Sequence, residues 1–130
     1  MNFFPGQLIS ENGGQDLYVQ TSGLKLKLPE DMRGKVNSQS GREIVFGVRP
    51  EHIHSKAEAP NADASRTARV NVSVVEPLGS EVFAYLSANG HEFIARIDAA
   101  AQPRPGETLE TVFDTEHLHV FDKETEQALV

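Results

Sequence analysis

The chain has 130 residues and no cysteine, and its 19 acidic against 12 basic residues give a formal net charge of −7. One domain is the expectation at this length, and the lack of cysteine excludes disulfides, thiolate nucleophiles and cysteine-based zinc sites. Phosphate backbones attract clustered Lys and Arg, so the charge argues against nucleic acid as the main partner. No apolar run reaches the roughly 18–20 residues of a membrane helix, and the N-terminus lacks the pattern of a secretory signal. We therefore expect an intracellular protein without direct membrane insertion.

The first half of the chain predicts short strands separated by polar turns. Asp16–Leu28 is predicted to form a hairpin, because apolar residues alternate with lysines in its second half. Pro29–Gly41 is polar and predicts a loop, in which Glu30–Arg33 is a candidate helical turn. Glu43–Val48 is nearly continuous in apolar residues and predicts a buried strand, which Pro50 ends by starting a short helical turn. Ser55–Ser65 is small and polar, which predicts an exposed loop or an internal division of the chain.

The second half continues the same pattern, with little predicted helix. Asn89-Gly90 lies between two alternating runs and is a strong hairpin signal. The predicted strands are Ala68–Val74, Val82–Ser87, Glu92–Ile97, Leu109–Phe113 and Leu118–Phe121. Many short strands at regular spacing predict an all-β fold, either a barrel or a sandwich.

Histidines offer the first candidate chemistry. They occur as His52-x-His54 and His117-x-His119, and residues two apart in a strand share a face. Zinc usually needs three or four ligands with supporting contacts. Surface or structural histidines are therefore the favoured interpretation, and no metal site is predicted.

Other catalytic and nucleotide-binding motifs are missing from the sequence. There is no G-x-S-x-G nucleophile elbow and no G-x-x-x-x-G-K-[ST] phosphate loop. Carboxylates such as Glu76 and Asp98 border predicted turns, where solvated carboxylates usually lie. Phe83 and Tyr85 share a strand face and could stack bases, although packing is favoured at this net charge. A binding or regulatory module is therefore expected rather than an enzyme, with no catalytic or cofactor-binding residue.

Five stretches together resemble a known family. In order they are "MNFFPGQL" at the start, "VFGVRPEHI" from Val45, "VSVVEPLGSE" from Val72, "RPGETL" from Arg104 and "EHLHVFDKET" from Glu116. This set resembles the C-terminal regulatory domain of the ATP-binding subunits of carbohydrate ABC importers, of the maltose and glycerol-phosphate class. The resemblance covers essentially the whole chain, and "G-V-R-P-E-H" is its most specific element.

The resemblance implies small oligonucleotide-binding-type (OB-type) barrels of short antiparallel strands, together called a transport-associated domain, over residues 1–130. An ATPase domain with the phosphate loop, signature motif and catalytic glutamate is expected upstream, so ATP and magnesium would belong to that domain. The chain is then an excised C-terminal domain or a stand-alone relative. The first is favoured, because "MNFFPGQL" looks like a family segment that normally follows the ATPase domain. Such a subunit would lie in the cytoplasm, on the inner face of the membrane, with the importer's membrane subunits.

Two turns carry the family-implied site. The turn of Gly47, Arg49, Pro50 and Glu51 is implied to be a structural hallmark, and a fold-fixing role is favoured for Arg49. The turn of Leu78, Gly79, Ser80 and Glu81 resembles the family's "LG-x-E" stretch, which is associated with regulatory contacts. At Gly79 a backbone conformation closed to other residues is expected.

The leading hypothesis is a regulatory domain that forms a homodimer and responds to a regulatory protein or small molecule. A twofold contact needs a self-complementary patch, to which Val75, Phe83 and Tyr85 would contribute if they lie on the outer face. The alternative is a stand-alone OB-type module that binds an oxyanion, a sugar or a single strand.

Overall fold

The computed structural model describes residues 1–32 and 41–129. Its strands are β1 (Asn2–Glu11), β2 (Asp16–Thr21), β3 (Leu24–Lys27), β4 (Glu43–Val48), β5 (Ile53–Ser55), β6 (Thr67–Pro77), β7 (Glu81–Ala88), β8 (His91–Asp98), β9 (Thr108–Phe113) and β10 (His119–Asp122). They form two five-stranded antiparallel sheets, in the orders β10-β4-β1-β2-β3 and β5-β9-β6-β7-β8. The predicted all-β class is confirmed.

Most of the predicted strands agree with the structure to within a few residues. The Asp16–Leu28 hairpin is β2 and β3, and the Asn89-Gly90 hairpin joins β7 to β8. Most of the predicted Pro29–Gly41 loop lies outside the described residues, and residues 30–32 are helical. None of the helices in the described ranges is long and apolar enough to cross a membrane.

The first strand, β1, is not predicted by the sequence analysis, because Pro5 and Gly6 both argue against a strand. The structure accommodates them by dividing the pairing of β1. Residues 2–7 pair with β4, whereas residues 7–11 pair with β2. Pro5 therefore lies where β1 has one ladder neighbour, so its missing N–H breaks no second ladder.

The two sheets share one hydrophobic core. Phe4 of the first sheet stacks on Phe46, with ring centroids 4.9 Å apart, and meets Phe93 of the second sheet edge-on at 5.3 Å. Phe93 in turn packs 6.0 Å from Phe113. Phe4, Phe46 and Phe113 are fully buried, and each such side chain contributes about 2–3 kcal/mol of burial free energy. The core therefore joins the sheets rather than filling each one separately.

A side chain from the first sheet also caps the free edge of the second sheet. The Asn2 amide nitrogen donates to the carbonyl of Ile94 at 2.7 Å, and the Ile94 N–H donates to the Asn2 amide oxygen at 2.9 Å. Asn2 thus replaces a peptide group of a neighbouring strand. This pairing satisfies backbone groups that an edge strand would otherwise leave open.

The chain changes sheet twice. It passes from β4 to β5 between Val48 and Ile53, and it returns from β9 to β10 between Phe113 and His119. The Ser55–Ser65 loop lies after the first change, between β5 and β6 of the second sheet. In that loop the Glu58 carboxylate accepts from the Ser55 N–H at 2.7 Å and from the Asp98 N–H at 3.2 Å, which attaches the loop to the end of β8.

Candidate functional site at the sheet crossovers

The first crossover contains the predicted hallmark turn. Arg49 is extended, with φ −79° and ψ 149°, and Pro50 starts a 3-10 helix over Pro50–His52. The His52 N–H donates to the Arg49 carbonyl at 2.9 Å and closes this turn. An extended residue before proline and a proline at the first helical position are both the favoured arrangements. The turn therefore ends β4 and directs the chain toward the second sheet.

The second crossover runs beside the first. It contains a 3-10 helix over Thr115–His117, and the Asp114 N–H donates to the His52 carbonyl at 2.9 Å. The rings of His52 and His117 stack with centroids 4.3 Å apart and planes 16° from parallel. The Asp114 carboxylate lies 2.8 Å from His117 Nδ1 and orients that ring. Two segments more than sixty residues apart thus form one junction between the sheets.

This junction takes one histidine from each of the two pairs that the sequence singled out. His52 Nδ1 is buried without a hydrogen-bond partner, whereas His54 lies in β5 opposite Val112. Among the described residues, no three His, Cys, Asp or Glu side chains are placed to share a metal ion. The stacked rings therefore serve as packing between the crossovers.

Arg96 is paired with the predicted regulatory turn. Its Nε and Nη2 both donate to one carboxylate oxygen of Glu81, at 3.0 and 2.7 Å, and this bond raises the pKa of Arg96. The pKa of Glu51 is lowered by its own backbone N–H, and further by the charges of His52, Arg49 and Arg96. The Arg96–Glu81 pair belongs to the regulatory turn, and the charge of Arg96 also acts on Glu51 of the crossover turn. Arg96 was not predicted as a site residue. The one sequence feature that could have indicated it is the predicted hairpin, whose register places Arg96 opposite Phe83.

The regulatory turn presents an apolar tip beside that ion pair. Gly79 has φ 90°, in the left-handed region that favours glycine. The Leu78 N–H donates to the Glu81 carbonyl at 2.8 Å, and the Ala99 N–H donates to the Ser80 carbonyl at 3.0 Å. The Leu78 side chain is 47% exposed. An exposed leucine on a turn that backbone hydrogen bonds hold in place, beside the Arg96–Glu81 ion pair, is suited to contact with another protein.

The outer face of the second sheet carries the other predicted contact residues. Phe83 and Tyr85 are half-buried and alternate with fully or largely buried neighbours along β7. A bulge between Val72 and Val74 shifts the β6 register, so Val74 lies opposite Tyr85 and is 54% exposed. Val75, which the sequence analysis proposed for this patch, packs against the core instead. The outer patch is therefore Val74, Phe83 and Tyr85.

Comparisons with known proteins match both halves of the chain. The family model for the TOBE domain matches residues 46–121, and that for the MalK OB fold domain matches residues 1–53. The chain belongs to the TOBE-domain family. Both models include the first crossover, so the "RPE" turn lies where the two matches overlap.

Relatives of this TOBE-domain chain are sugar-importer ATP-binding proteins. It is 34% identical over 128 residues to the oligosaccharides import ATP-binding protein MsmX of Bacillus subtilis (strain 168), covering 97% of this chain and 33% of MsmX. It is 35% identical over 134 residues to the multiple sugar-binding transport ATP-binding protein MsmK of Streptococcus mutans, covering 99% of this chain and 33% of MsmK. The trehalose/maltose import ATP-binding protein MalK of Thermococcus litoralis is 31% identical over 132 residues, which cover 99% of this chain and 34% of MalK.

The resemblance predicted from the five stretches is therefore confirmed, and the chain spans about a third of the length of these relatives. The matched regions are the MalK OB fold domain and the TOBE domain. Among solved structures, the cytoplasmic molybdate-binding protein ModG with molybdate bound shares the fold, with a TM-score of 0.67 and 18% identity over 92% of this chain and 94% of ModG.

Proposed function

We propose that this TOBE-domain chain is the regulatory and dimerisation domain of the ATP-hydrolysing subunit of an ABC importer for sugars or related solutes. The observation that carries the proposal is the alignment of nearly the whole chain with sugar-importer ATP-binding proteins. An ATPase domain preceding residues 1–130 would bind ATP and magnesium and contact the membrane subunits. The subunit would work in the cytoplasm, at the inner face of the membrane.

Sequencing the DNA upstream of the Met1 codon tests the parent protein. An in-frame ATPase domain with a phosphate loop is the expected result, because the relatives extend well beyond the length of this chain. A stop codon followed by a start signal directly before Met1 would overturn the proposal.

Dimerisation is assigned to the outer patch of Val74, Phe83 and Tyr85. Its exposed valine and half-buried aromatic rings are the kind of surface found at the centre of protein interfaces, and Glu76 and Arg96 beside Phe83 supply both signs of charge. A patch that carries both signs can match a second copy of itself across a twofold axis. Partner subunits joined in this way would stay together while their ATPase domains open and close.

Light scattering over a concentration series measures this association. We expect Val74→Asp to weaken dimerisation by about tenfold or more, because a charge would be buried at the centre of the contact. Phe3→Asp is the matched control, since Phe3 is similarly exposed but lies on the first sheet. Equal dimerisation of the wild-type and Val74→Asp chains would exclude this patch.

The regulatory contact is assigned to the turn of Leu78, Gly79, Ser80 and Glu81, where Arg96 pairs with Glu81. A regulatory protein or small molecule bound there would shift the resting state only by its differential affinity for the two states. The alternative is a stand-alone OB-type module, for which the fold shared with molybdate-bound ModG is the supporting observation. A rise in the unfolding temperature with added molybdate would favour that alternative.

A further inference from the structure

The outer face of the first sheet carries an apolar hollow that the proposed function does not use. Register places Phe3, Gly47 and His119 in one row across β1, β4 and β10, and Pro5, Val45 and Phe121 in the next. The rings of Phe3 and Phe121 lie 6.4 Å apart, as do those of His119 and Phe121. We call the cleft of about 370 Å³ that Phe3, Val45 and Phe121 line with Asp122, Lys123 and Glu126 the aromatic socket.

Gly47 allows the first residues of the chain to pack closely against this face, next to the socket. A Cβ atom at this position would lie 2.6 Å from the Met1 sulfur and 3.3 Å from the Phe3 ring. Gly47 is itself buried, so the side chains of Met1 and Phe3 cover its backbone beside the socket. Phe3 is 53% exposed and Met1 44% exposed, so apolar surface here still faces water. Phe3 thus adds exposed apolar surface to the wall of the socket.

The charge at the rim of the socket is negative. Lys123 lies 3.9 Å from Glu43, and Asp122 is paired with Arg42. The carboxylate of Glu126 has no ion pair or hydrogen bond with a described residue. Glu126 thus supplies the rim with an uncompensated negative charge.

The turn that carries Glu126 is held firmly. The backbone φ of Glu126 is 62°, which is uncommon for a residue other than glycine. The Asp122 carboxylate accepts from the N–H groups of Glu124 and Thr125, at 2.8 and 2.9 Å. The Glu126 N–H donates to the Asp122 carbonyl at 2.9 Å. The surrounding hydrogen bonds therefore fix the backbone of this turn and place Glu126 among the residues that line the socket.

We propose that the aromatic socket binds a protein segment that presents an aromatic or aliphatic side chain next to a lysine or arginine. The apolar walls would hold the side chain, and Glu126 would pair with the cation. A second copy of the chain is a poorer occupant, since each copy carries a net charge of −7 and would bring the same acidic rim. Anionic lipid and nucleic acid meet the same repulsion. This proposal stands independently of dimerisation through the second sheet.

The test is an NMR titration of the 15N-labelled chain with three matched peptides. They are acetyl-Lys-Phe-Lys-amide, acetyl-Glu-Phe-Glu-amide and acetyl-Lys-Ala-Lys-amide. We expect the Lys-Phe-Lys peptide to shift the amide signals of Val45, Gly47, Phe121 and Glu126. It should bind about five- to tenfold more tightly than the Glu-Phe-Glu peptide, because reversing the charges replaces attraction by repulsion at an exposed site. The Lys-Ala-Lys peptide should bind more weakly than Lys-Phe-Lys, since it lacks the ring.

Two variants separate the charge from the walls. Glu126→Gly removes the carboxylate and suits the left-handed backbone, so it should fold at least as stably and lose the preference for the basic peptide. Phe121→Ala should weaken binding of both phenylalanine peptides. Equal affinity for the basic and acidic peptides, or shifts confined to other surfaces, would overturn the proposal. Concentration-dependent shifts of the same four amides without peptide would also overturn it, because a second copy would then be the occupant.

Discussion

At the scale of single residues, Asp122 combines several stabilising contacts in one carboxylate. Hydrogen bonds from the Thr125 backbone N–H, then the Arg42 guanidinium, and the Glu124 N–H lower the pKa of Asp122 from 3.8 to about 2. A carboxyl group with a depressed pKa in the folded state stabilises the fold above its unfolded pKa. We expect this contribution to disappear as the pH falls from about 4 to about 2.

Urea unfolding of the wild type and of Asp122→Asn at pH 7 and pH 3 measures this effect. The variant should have a lower free energy of unfolding than the wild type at pH 7. The difference should narrow at pH 3, because the Asp122 carboxyl is then protonated in most unfolded chains while it stays largely ionised in the folded state. Asp31→Asn, an exposed carboxylate whose removal should leave stability unchanged at both values, serves as the control. If the difference in the free energy of unfolding between wild type and variant does not change with pH, the Asp122 carboxylate is not the source of this stability.

Gly6 makes a second prediction at this scale, from a close approach of two strands. A Cβ atom on Gly6 would lie 2.3 Å from the Gln20 carbonyl oxygen, which belongs to the backbone of β2 and has little freedom to move. Gly6→Ala should therefore lower the free energy of unfolding by about 1–3 kcal/mol or more. Gln7→Ala, at the exposed next position, should change it by less than about 0.5 kcal/mol. Equal values for the two variants in urea unfolding would refute the steric explanation.

At the scale of elements, Asn2 determines how β1 meets the edge of β8. Asn2→Ala removes both bonds to Ile94, and it should cost about 1–2 kcal/mol and speed hydrogen exchange of the Ile94 amide. Asn2→Asp keeps the acceptor for the Ile94 N–H but places an oxygen against the Ile94 carbonyl, so we expect it to be destabilising as well. Asn71→Ala is the control, because the Asn71 side chain is exposed on β6. If hydrogen exchange of the Ile94 amide is unchanged in Asn2→Ala, Asn2 does not cap the edge of β8.

At the scale of the whole molecule, the shared core predicts that both sheets unfold together. The chain has two tyrosines, Tyr18 in the first sheet and Tyr85 in the second. In Tyr18→Phe, the remaining tyrosine fluorescence therefore comes from the second sheet. In Tyr85→Phe, it comes from the first sheet. Phe93→Leu, which alters the contact between the sheets, should lower the urea midpoint by the same amount in both backgrounds, at a cost of about 1 kcal/mol. A shift in one background alone would show that the sheets unfold as separate domains.

Several elements were predictable because their determinants are local. The alternation in β2, β3, β7 and β8 reflects a period of two that any half-buried strand requires. Pro50 ends a strand by its own geometry, and the five ordered stretches were enough to indicate the family before any contact was known. These features depend on residues a few positions apart, so the chain reveals them without a fold.

Other features depended on partners far away in the chain. Nothing near Pro5 shows that β1 lacks a second neighbour there. The bulge that exchanges Val75 for Val74 on the outer face is a register shift against β7, which no local pattern marks. In the sequence Arg96 looks like any exposed cation. Only the fold brings it to Glu81 and within electrostatic range of Glu51.

The sequence by itself determined the class of fold, most strands, the turns at Pro50 and Gly79, and membership of the TOBE-domain family. The tertiary structure decided which strands share a sheet, the meeting of His52 with His117, the capping of β8 by Asn2, and the aromatic socket between Phe3 and Phe121. The physical reason is the range of the interactions. Backbone preference and hydrophobic period act between neighbouring residues, whereas burial, ion pairing and edge capping depend on which distant segments the closed fold brings together.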